Sequence, residues 1–124
     1  MYATAAFFWN KSREWTGRLG ADNDAAYARH APELVGGQHW QLDWVIEGLG
    51  ACAAFEPATR RTVTWNRTYS RDEWVHLLGT HSDHRVLPPE QRNRLHCAVG
   101  EVIDSHGGHV EVVYDVELFL SRRV

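Results

Sequence analysis

The sequence has no excess of positive charge and no long apolar run. Thirteen Lys and Arg residues stand against sixteen Asp and Glu residues, a net charge of −3 that lacks the basic footprint of a nucleic-acid-binding protein. No apolar stretch approaches the roughly 20 residues that a membrane-spanning helix requires. The N-terminus also lacks the charged region and cleavage site of a signal peptide. We therefore expect a soluble, cytoplasmic protein that binds neither nucleic acid nor membrane.

Cysteine is scarce, and repeats, low-complexity tracts and charge blocks are absent. Cys52 and Cys97 lie far apart in the sequence. Without an export signal, we expect both to be reduced thiols that pack within the fold. Hydrophobic residues make up 44% of the 124 residues, which excludes a disordered tail and fits one globular domain over residues 1–124.

The polar and apolar patterns predict an α/β fold. Tyr2–Trp9 is a nearly unbroken apolar run, as in a strand covered on both faces. Thr59–Tyr69 and Val110–Leu120 are rich in β-branched and aromatic residues, which is typical of strands. Asn10–Gly20 is polar and glycine-punctuated, which predicts a loop. The helices are expected over Asp22–Leu34, Gln41–Leu49, Arg71–Leu78 and from Leu87 to the Gly107-Gly108 pair.

Two local patterns refine these elements. Ser70 and Glu73 have capping-box spacing at the start of the helix Arg71–Leu78. In the last strand, the even-numbered residues of Val110–Leu120 form one apolar face. The acidic residues Glu111, Asp115 and Glu117 mark the opposite face as the wetter one. Core positions are expected for the tryptophans Trp40, Trp44 and Trp74.

The C-terminal half carries an ordered series of short motifs. They are Tyr69-Ser70, Leu77-Leu78, Ser82-Asp83-His84-Arg85-Val86-Leu87-Pro88, Ile103-Asp104, Gly107-Gly108 and Arg122-Arg123. In this order and spacing, Trp65–Arg123 resembles the C-terminal part of class I S-adenosylmethionine-dependent methyltransferases of the small-molecule type. Further upstream, Ala5–Asn10 is similar to the fifth strand of that family, and Tyr27–Leu34 is similar to the helix that follows it.

The resemblance covers only the second half of the family's fold. In the family, the cofactor is held by a Gly-rich turn after the first strand and an acidic residue after the second, and this chain has no such turn. The resemblance implies a partial Rossmann-like α/β sheet of three strands with about four helices. Their order is fifth, seventh, sixth, with the last strand antiparallel in the middle. The edge of Tyr2–Trp9 that pairs with a fourth strand in the family is then exposed.

The resemblance also implies a function. We expect the acceptor-side, substrate-recognition half of an S-adenosylmethionine-dependent small-molecule methyltransferase, either split or truncated. The isolated chain is expected to be inactive, with S-adenosylmethionine bound only after completion by an N-terminal half. The expected partners are a chain carrying that half, or a second copy in a homodimer, together with a small-molecule methyl acceptor. The alternative is a non-catalytic, stand-alone binding or assembly module derived from the same fold.

Candidate substrate-binding residues follow the first strand. Open α/β sheets place ligands at the C-terminal ends of their strands, which is where Trp9, Asn10 and Trp15 lie in the sequence. They are candidates for a pocket wall near the methyl-acceptor site. The alternative is that Trp9 is a core residue and Trp15 anchors the loop.

A second group of candidates lies in the region that resembles the family's substrate-covering segment. These are Tyr69, His81 and Arg85. The Arg85 guanidinium is a candidate clamp for an acceptor carboxylate. Its alternative role is structural, tying the turn to a helix end.

Neither the histidines nor the neighbouring Ser, Asp and His residues predict a metal site or a catalytic triad. His76, His81 and His84 are close in sequence, but the set His81 and His84 lacks a nearby Cys or carboxylate pair with zinc spacing. We therefore expect no metal site and interpret these histidines as solvated or substrate-lining. Ser82, Asp83 and His84 are adjacent, whereas catalytic triads are defined by geometry across a fold. The sequence therefore identifies no catalytic residue.

Overall fold

The computed structural model describes residues 3–35 and 41–124. The described elements are β1 (Thr4–Ser12), α1 (Gly17–His30), a 3-10 turn (Pro32–Leu34), α2 (Asp43–Gly50), β2 (Thr59–Ser70), α3 (Arg71–Leu78), α4 (Ser82–Arg85), α5 (Pro89–Ser105) and β3 (His109–Arg122). The class is α/β, as predicted, with five α-helices in these ranges rather than about four. The short helix α4 accounts for the difference.

The three strands form one antiparallel sheet in the order β1–β3–β2. β1 pairs with β3 in the antiparallel direction along its whole length. On the other side of β3, Glu117 accepts a hydrogen bond from Thr62, and Asp115 accepts one from Thr64. The residue numbers fall along one strand as they rise along the other, which is the register of an antiparallel pair. The predicted strand order, with the last strand in the middle, is confirmed.

The start of α1 is the largest departure from the predicted boundaries. The expected loop over Asn10–Gly20 is wrong, because β1 continues to Ser12 and α1 begins at Gly17. Gly17 has a φ of +66°, which glycine adopts without strain. The buried Gly20 lies directly against the Trp15 carbonyl, where a Cβ atom has no room. These glycines therefore shape the first turn of a helix. The other predicted helices and the last two strands agree with the structure to within two residues at each end.

The expectation that the first strand is covered on both faces is wrong. Every side chain of β1 is exposed or half-buried, and Phe8 is 69% exposed. β1 lies at the end of the strand order, so the expected open edge is confirmed for the described part of this strand. Tyr2 lies outside the described residues.

The described chain divides into two compact units. The first contains residues 3–13, 41–66 and 113–124. In this unit, Leu42, directly before α2, and Val45 and Leu49 of α2 pack on Phe119 of β3. They recur on one side of α2 at the spacing of an amphipathic helix, so α2 covers the face of the strand that carries Phe119.

The second unit contains residues 14–35 and 67–112. Its long helix α5 contacts both α1 and α3. Leu95, Val99 and Ile103 are fully buried along α5, at the helical spacing that the sequence predicts. The prediction of one domain over residues 1–124 stays a prediction.

The two faces of β3 do not follow the predicted alternation throughout. Buried residues have even numbers as far as Tyr114, whereas Glu117, Phe119 and Ser121 are buried beyond it. The prediction that Glu117 lies on the wetter face is therefore wrong, because this side chain is only 7% exposed. The cause lies in the first unit, where α2 covers Phe119 on the odd-numbered face.

Other expectations about single residues have mixed outcomes. Cys52 and Cys97 are free thiols, but both are exposed, so the packing role is wrong. Trp74 is buried as predicted, while Trp44 is 60% exposed. Trp40 lies outside the described residues. Among the helices at 3–35 and 41–124, none has both the length and the apolar character needed to cross a membrane.

Candidate functional site

Helix α4 brings a group of histidines together in the second unit. Asp83 and His84 lie on α4, and His81 directly precedes it. Tyr27 reaches them from α1, and His96 reaches them from α5. These five residues are referred to below as the histidine cluster.

His84 is the centre of the histidine cluster. It is 2% exposed, and both of its ring nitrogens have a partner. Its Nε2 lies 2.9 Å from the Tyr27 hydroxyl oxygen, and its Nδ1 lies 3.0 Å from Nε2 of His96. The His84 backbone N–H donates to Asp83 Oδ1 at 2.9 Å. The ring is therefore fixed in position from two sides.

Burial keeps the main groups of the cluster neutral near pH 7. Burial lowers the pKa of His84 to about 4, because the imidazolium loses its hydration, and the nearby Asp83 carboxylate opposes this only in part. The pKa of His96 is lowered for the same reason, with the positive charge of Arg92 adding to the effect. Burial raises the pKa of the Tyr27 phenol. Tyr27, His84 and His96 thus form a hydrogen-bonded series of uncharged groups.

This series has two possible directions of hydrogen donation. A neutral imidazole carries one N–H and one lone pair. His84 either donates from Nε2 to Tyr27 and accepts from His96, or accepts from Tyr27 and donates to His96. The first arrangement leaves the Nδ1 lone pair of His84 directed toward His96.

His81, Asp83 and His84 also have the arrangement of potential metal ligands. Each residue offers one ligand atom, and these atoms lie within 4.8 Å of one another. The prediction of no metal site was based on His81 and His84 and did not include Asp83, which lies between them in the sequence. It also missed His96, which lies on a different helix. The sequence does contain one indication of such a site, because three histidines and one aspartate lie within the sixteen residues from His81 to His96.

Two of the predicted substrate-binding residues meet at Trp74. The centroid of the Trp15 ring lies 5.3 Å from that of Trp74, and the Tyr69 ring lies 5.2 Å from it. The Arg67 guanidinium lies 4.8 Å from the centroid of the Tyr69 ring. Tyr69 and Trp74 are buried, and Trp15 is half-buried. Trp15 therefore supplies the accessible ring of this aromatic group.

Trp9 and Asn10 belong to the first unit. The half-buried Trp9 ring makes edge-on contacts with Trp44, at 6.0 Å, and with Phe119, at 5.9 Å. Asn10 Oδ1 accepts a hydrogen bond from Trp65 Nε1 at 3.0 Å. The two side chains thus have different neighbours, although they are adjacent in sequence.

His81 and Arg85 lie at opposite ends of α4 and have different surroundings. His81 is half-buried, and its ring centroid lies 5.9 Å from that of His84. Arg85 is exposed, and within residues 3–35 and 41–124 its guanidinium has no hydrogen bond or ion pair. Its backbone carbonyl accepts a bond from Arg92. The structural tie expected of the Arg85 side chain is therefore wrong, and its role as a carboxylate clamp stays a prediction.

An open groove of about 340 Å³ lies between α1 and α5. Asp22, Arg29, His30 and Glu101 contribute its polar lining. The predicted substrate-binding residues do not line this groove. We therefore assign it no role in acceptor binding.

Comparison with known proteins adds no family assignment. A scan of protein-family models finds no match to this chain, and a search of curated proteins finds no significant match either.

Proposed function

We propose that this chain is the acceptor-side part of an S-adenosylmethionine-dependent small-molecule methyltransferase. The observation that carries the proposal is the sheet order β1–β3–β2, with the middle strand antiparallel to both neighbours. This is the order that the sequence resemblance implies for the last three strands of the family. The resemblance rests on short sequence motifs, and the strand order supports it independently.

Within residues 3–35 and 41–124, one face of the sheet leaves large apolar side chains uncovered, which also supports the proposal. In the first unit, Phe8 pairs with Leu118, so their side chains lie on the same face of the sheet. Phe8, Val63 and Trp65 are 69%, 58% and 40% exposed. The register of β2 against β3 places Val63 and Trp65 on this same face. We refer to Phe8, Val63, Trp65 and Leu118 as the open face.

The open face is on the other side of the sheet from α2. Sheets of the Rossmann-like type carry helices on both faces. A chain carrying the N-terminal half of the fold can cover the open face and pair with the free edge of β1. It would also bring the Gly-rich turn that holds S-adenosylmethionine in this family.

The role of this chain in the reaction is to position the acceptor. S-adenosylmethionine, when bound, supplies the methyl group. Transfer of this kind depends chiefly on aligning the two reactants. The half-buried ring of Trp15, held against Trp74, offers a rigid apolar wall for a small acceptor. Tyr69 supports Trp74 from within the unit.

The proposal is tested by reconstituting the two halves. The chain is titrated calorimetrically with S-adenosylmethionine, alone and with a Gly-rich half encoded in its genomic neighbourhood. We expect binding only by the pair, together with methyl transfer to small-molecule acceptors. Phe8→Lys should prevent the pair from forming, because it places a charge on the open face. Glu47→Lys, which introduces the same side chain on the exposed side of α2, serves as the control. Cofactor binding by the chain alone, or a pair that binds none, would contradict the proposal.

The second candidate function is a stand-alone binding or assembly module. The open face favours it as well, since a second copy of the chain can cover the same apolar surface. The two functions differ in the reconstitution experiment. A module forms its own assembly and gains neither cofactor binding nor methyl transfer from a Gly-rich partner.

A further inference from the structure

We propose that the histidine cluster binds a divalent transition-metal ion, with Zn²⁺ the best fit. The ligands are Nδ1 of His84, Nε2 of His96, a ring nitrogen of His81 and a carboxylate oxygen of Asp83. This site is independent of the proposed methyltransferase function. It lies within the second unit, on α4, α5 and the residue before α4.

One pair of ligand atoms already has the spacing of a tetrahedral site. Zn²⁺ binds imidazole nitrogen at about 2.0–2.1 Å, which places neighbouring ligand atoms about 3.3 Å apart. His84 Nδ1 and His96 Nε2 are already 3.0 Å apart. The ligand atoms of His81, Asp83 and His84 lie within 4.8 Å of one another. The proposed site requires the half-buried His81 and Asp83 side chains to move closer to the pair formed by His84 and His96.

Tyr27 provides the outer contact that such a site requires. A metal-binding histidine usually donates its other ring N–H to an oxygen atom, which fixes the tautomer. The Tyr27 hydroxyl oxygen lies 2.9 Å from His84 Nε2 and can accept that N–H. The Nδ1 lone pair of His84 is then free to bind the metal.

The remaining protons can be placed without a net change in charge. In the first of the two arrangements of the empty site, His96 Nε2–H donates to His84 Nδ1. When the metal binds, the proton of His96 moves to Nδ1, and Nε2 becomes a ligand. His96 is half-buried, so this exchange can occur through solvent. Asp83 Oδ1 accepts the His84 backbone N–H, and Oδ2 is available to the metal.

The donor set selects the class of metal. Three imidazole nitrogens and one carboxylate suit Zn²⁺ and its transition-metal neighbours, whereas Mg²⁺ and Ca²⁺ prefer oxygen ligands. Four protein ligands leave no open coordination position, so the site is structural and joins α4 to α5.

The test uses tag-free protein and the metal alone as probe. Zn²⁺ is titrated in competition with a chromophoric chelator, and Co²⁺ is then added to report the geometry through its visible absorption. We expect one Zn²⁺ per chain, intense tetrahedral Co²⁺ bands and a higher melting temperature with metal. His81→Ala, Asp83→Asn and His96→Gln should each weaken binding by tenfold or more, and Tyr27→Phe by about tenfold.

Exposed histidines outside the cluster provide the matched controls. His76→Ala and His109→Ala should leave affinity and stoichiometry unchanged. Circular dichroism without metal identifies any variant that does not fold, and His81→Ala and Asp83→Asn alter the more accessible ligands. Absence of stoichiometric binding would overturn the proposal. Equal binding by the cluster variants and the controls would do so as well.

Discussion

The carboxylate of Asp115 has three strong hydrogen bonds within the first unit. Arg13 donates to its two oxygens from Nε and Nη2, at 2.8 and 3.0 Å, and Thr64 donates at 2.7 Å. The hydrogen bonds from Arg13, followed by the one from Thr64, lower the pKa of Asp115 to about 2. The ionised form is therefore favoured in the folded protein.

This lowered pKa predicts a dependence of stability on pH. The folded-state pKa of Asp115 lies below its ordinary value of 3.8. The carboxylate therefore contributes its full stabilisation above about pH 4, and that contribution is lost as the pH falls toward 2. Asp115→Asn should remove this part of the acid destabilisation. Urea unfolding at a series of pH values between 2 and 6 measures the effect.

The control for this experiment is the exposed acidic residue Glu111 on the same strand. Glu111→Gln should have a pH profile close to that of the unmodified protein. Parallel profiles for Asp115→Asn and the unmodified protein would contradict the assignment of the acid transition to Asp115.

At the scale of single elements, α3 begins with a complete capping box. Ser70 Oγ accepts the Glu73 backbone N–H at 3.2 Å, and Glu73 Oε1 accepts the Ser70 backbone N–H at 3.1 Å. Ser70→Ala should reduce the free energy of unfolding by about 1 kcal/mol. Chemical denaturation measures this loss. Ser12→Ala, at the exposed end of β1, should change stability by less, and an equal loss in both variants would exclude a specific capping effect.

Two helical glycines should respond oppositely to the same substitution. A Cβ at Gly20 of α1 collides with the Trp15 backbone carbonyl, whereas a Cβ at Gly48 of α2 meets no atom within 4 Å. Gly20→Ala should therefore lower the melting temperature, at a cost of about 1–3 kcal/mol. Gly48→Ala should stabilise by about 1 kcal/mol, because alanine favours the helix more than glycine does. Differential scanning calorimetry of both variants tests the contrast, and a shift of the same sign in both would contradict it.

The elements that the sequence predicted well are those fixed by local patterns. The capping box at Ser70 and the spacing of Leu95, Val99 and Ile103 predict α3 and α5 because the relevant contacts lie within a few residues. The start of α1 was missed because Gly17 and Gly20 resemble loop glycines until their backbone surroundings are known.

The features that the sequence did not predict depend on distant segments. Phe119 and Glu117 are buried because residues of α2 and β2 reach them from elsewhere in the chain. The histidine cluster was missed for the same reason, since His96 and Tyr27 join His84 only after α1, α4 and α5 pack together. The spacing of residues along the sequence does not show which distant segments come into contact.

At the scale of the whole molecule, the open face and the edge of β1 are unusual surfaces. Phe8, Val63 and Trp65 together expose large apolar side chains on one face of the sheet, and such patches mark interaction sites. The edge of β1 adds backbone groups that can pair with another strand. Both features are on the first unit, where one partner can cover them together.

We therefore predict that the chain forms a homodimer through this surface when no other partner is present. Burying apolar surface contributes about 25 cal/mol per Å², and a two-fold axis lets each copy cover the open face of the other. The region of Tyr2–Trp9 should lie at or near the contact. Analytical ultracentrifugation at micromolar concentration should detect a dimer, which Phe8→Lys shifts toward monomer by placing a charge in the apolar contact. Glu47→Lys, on the opposite side of the sheet, should remain dimeric. A monomer across the same concentrations, or an equal response of both variants, would show that the open face does not drive self-association.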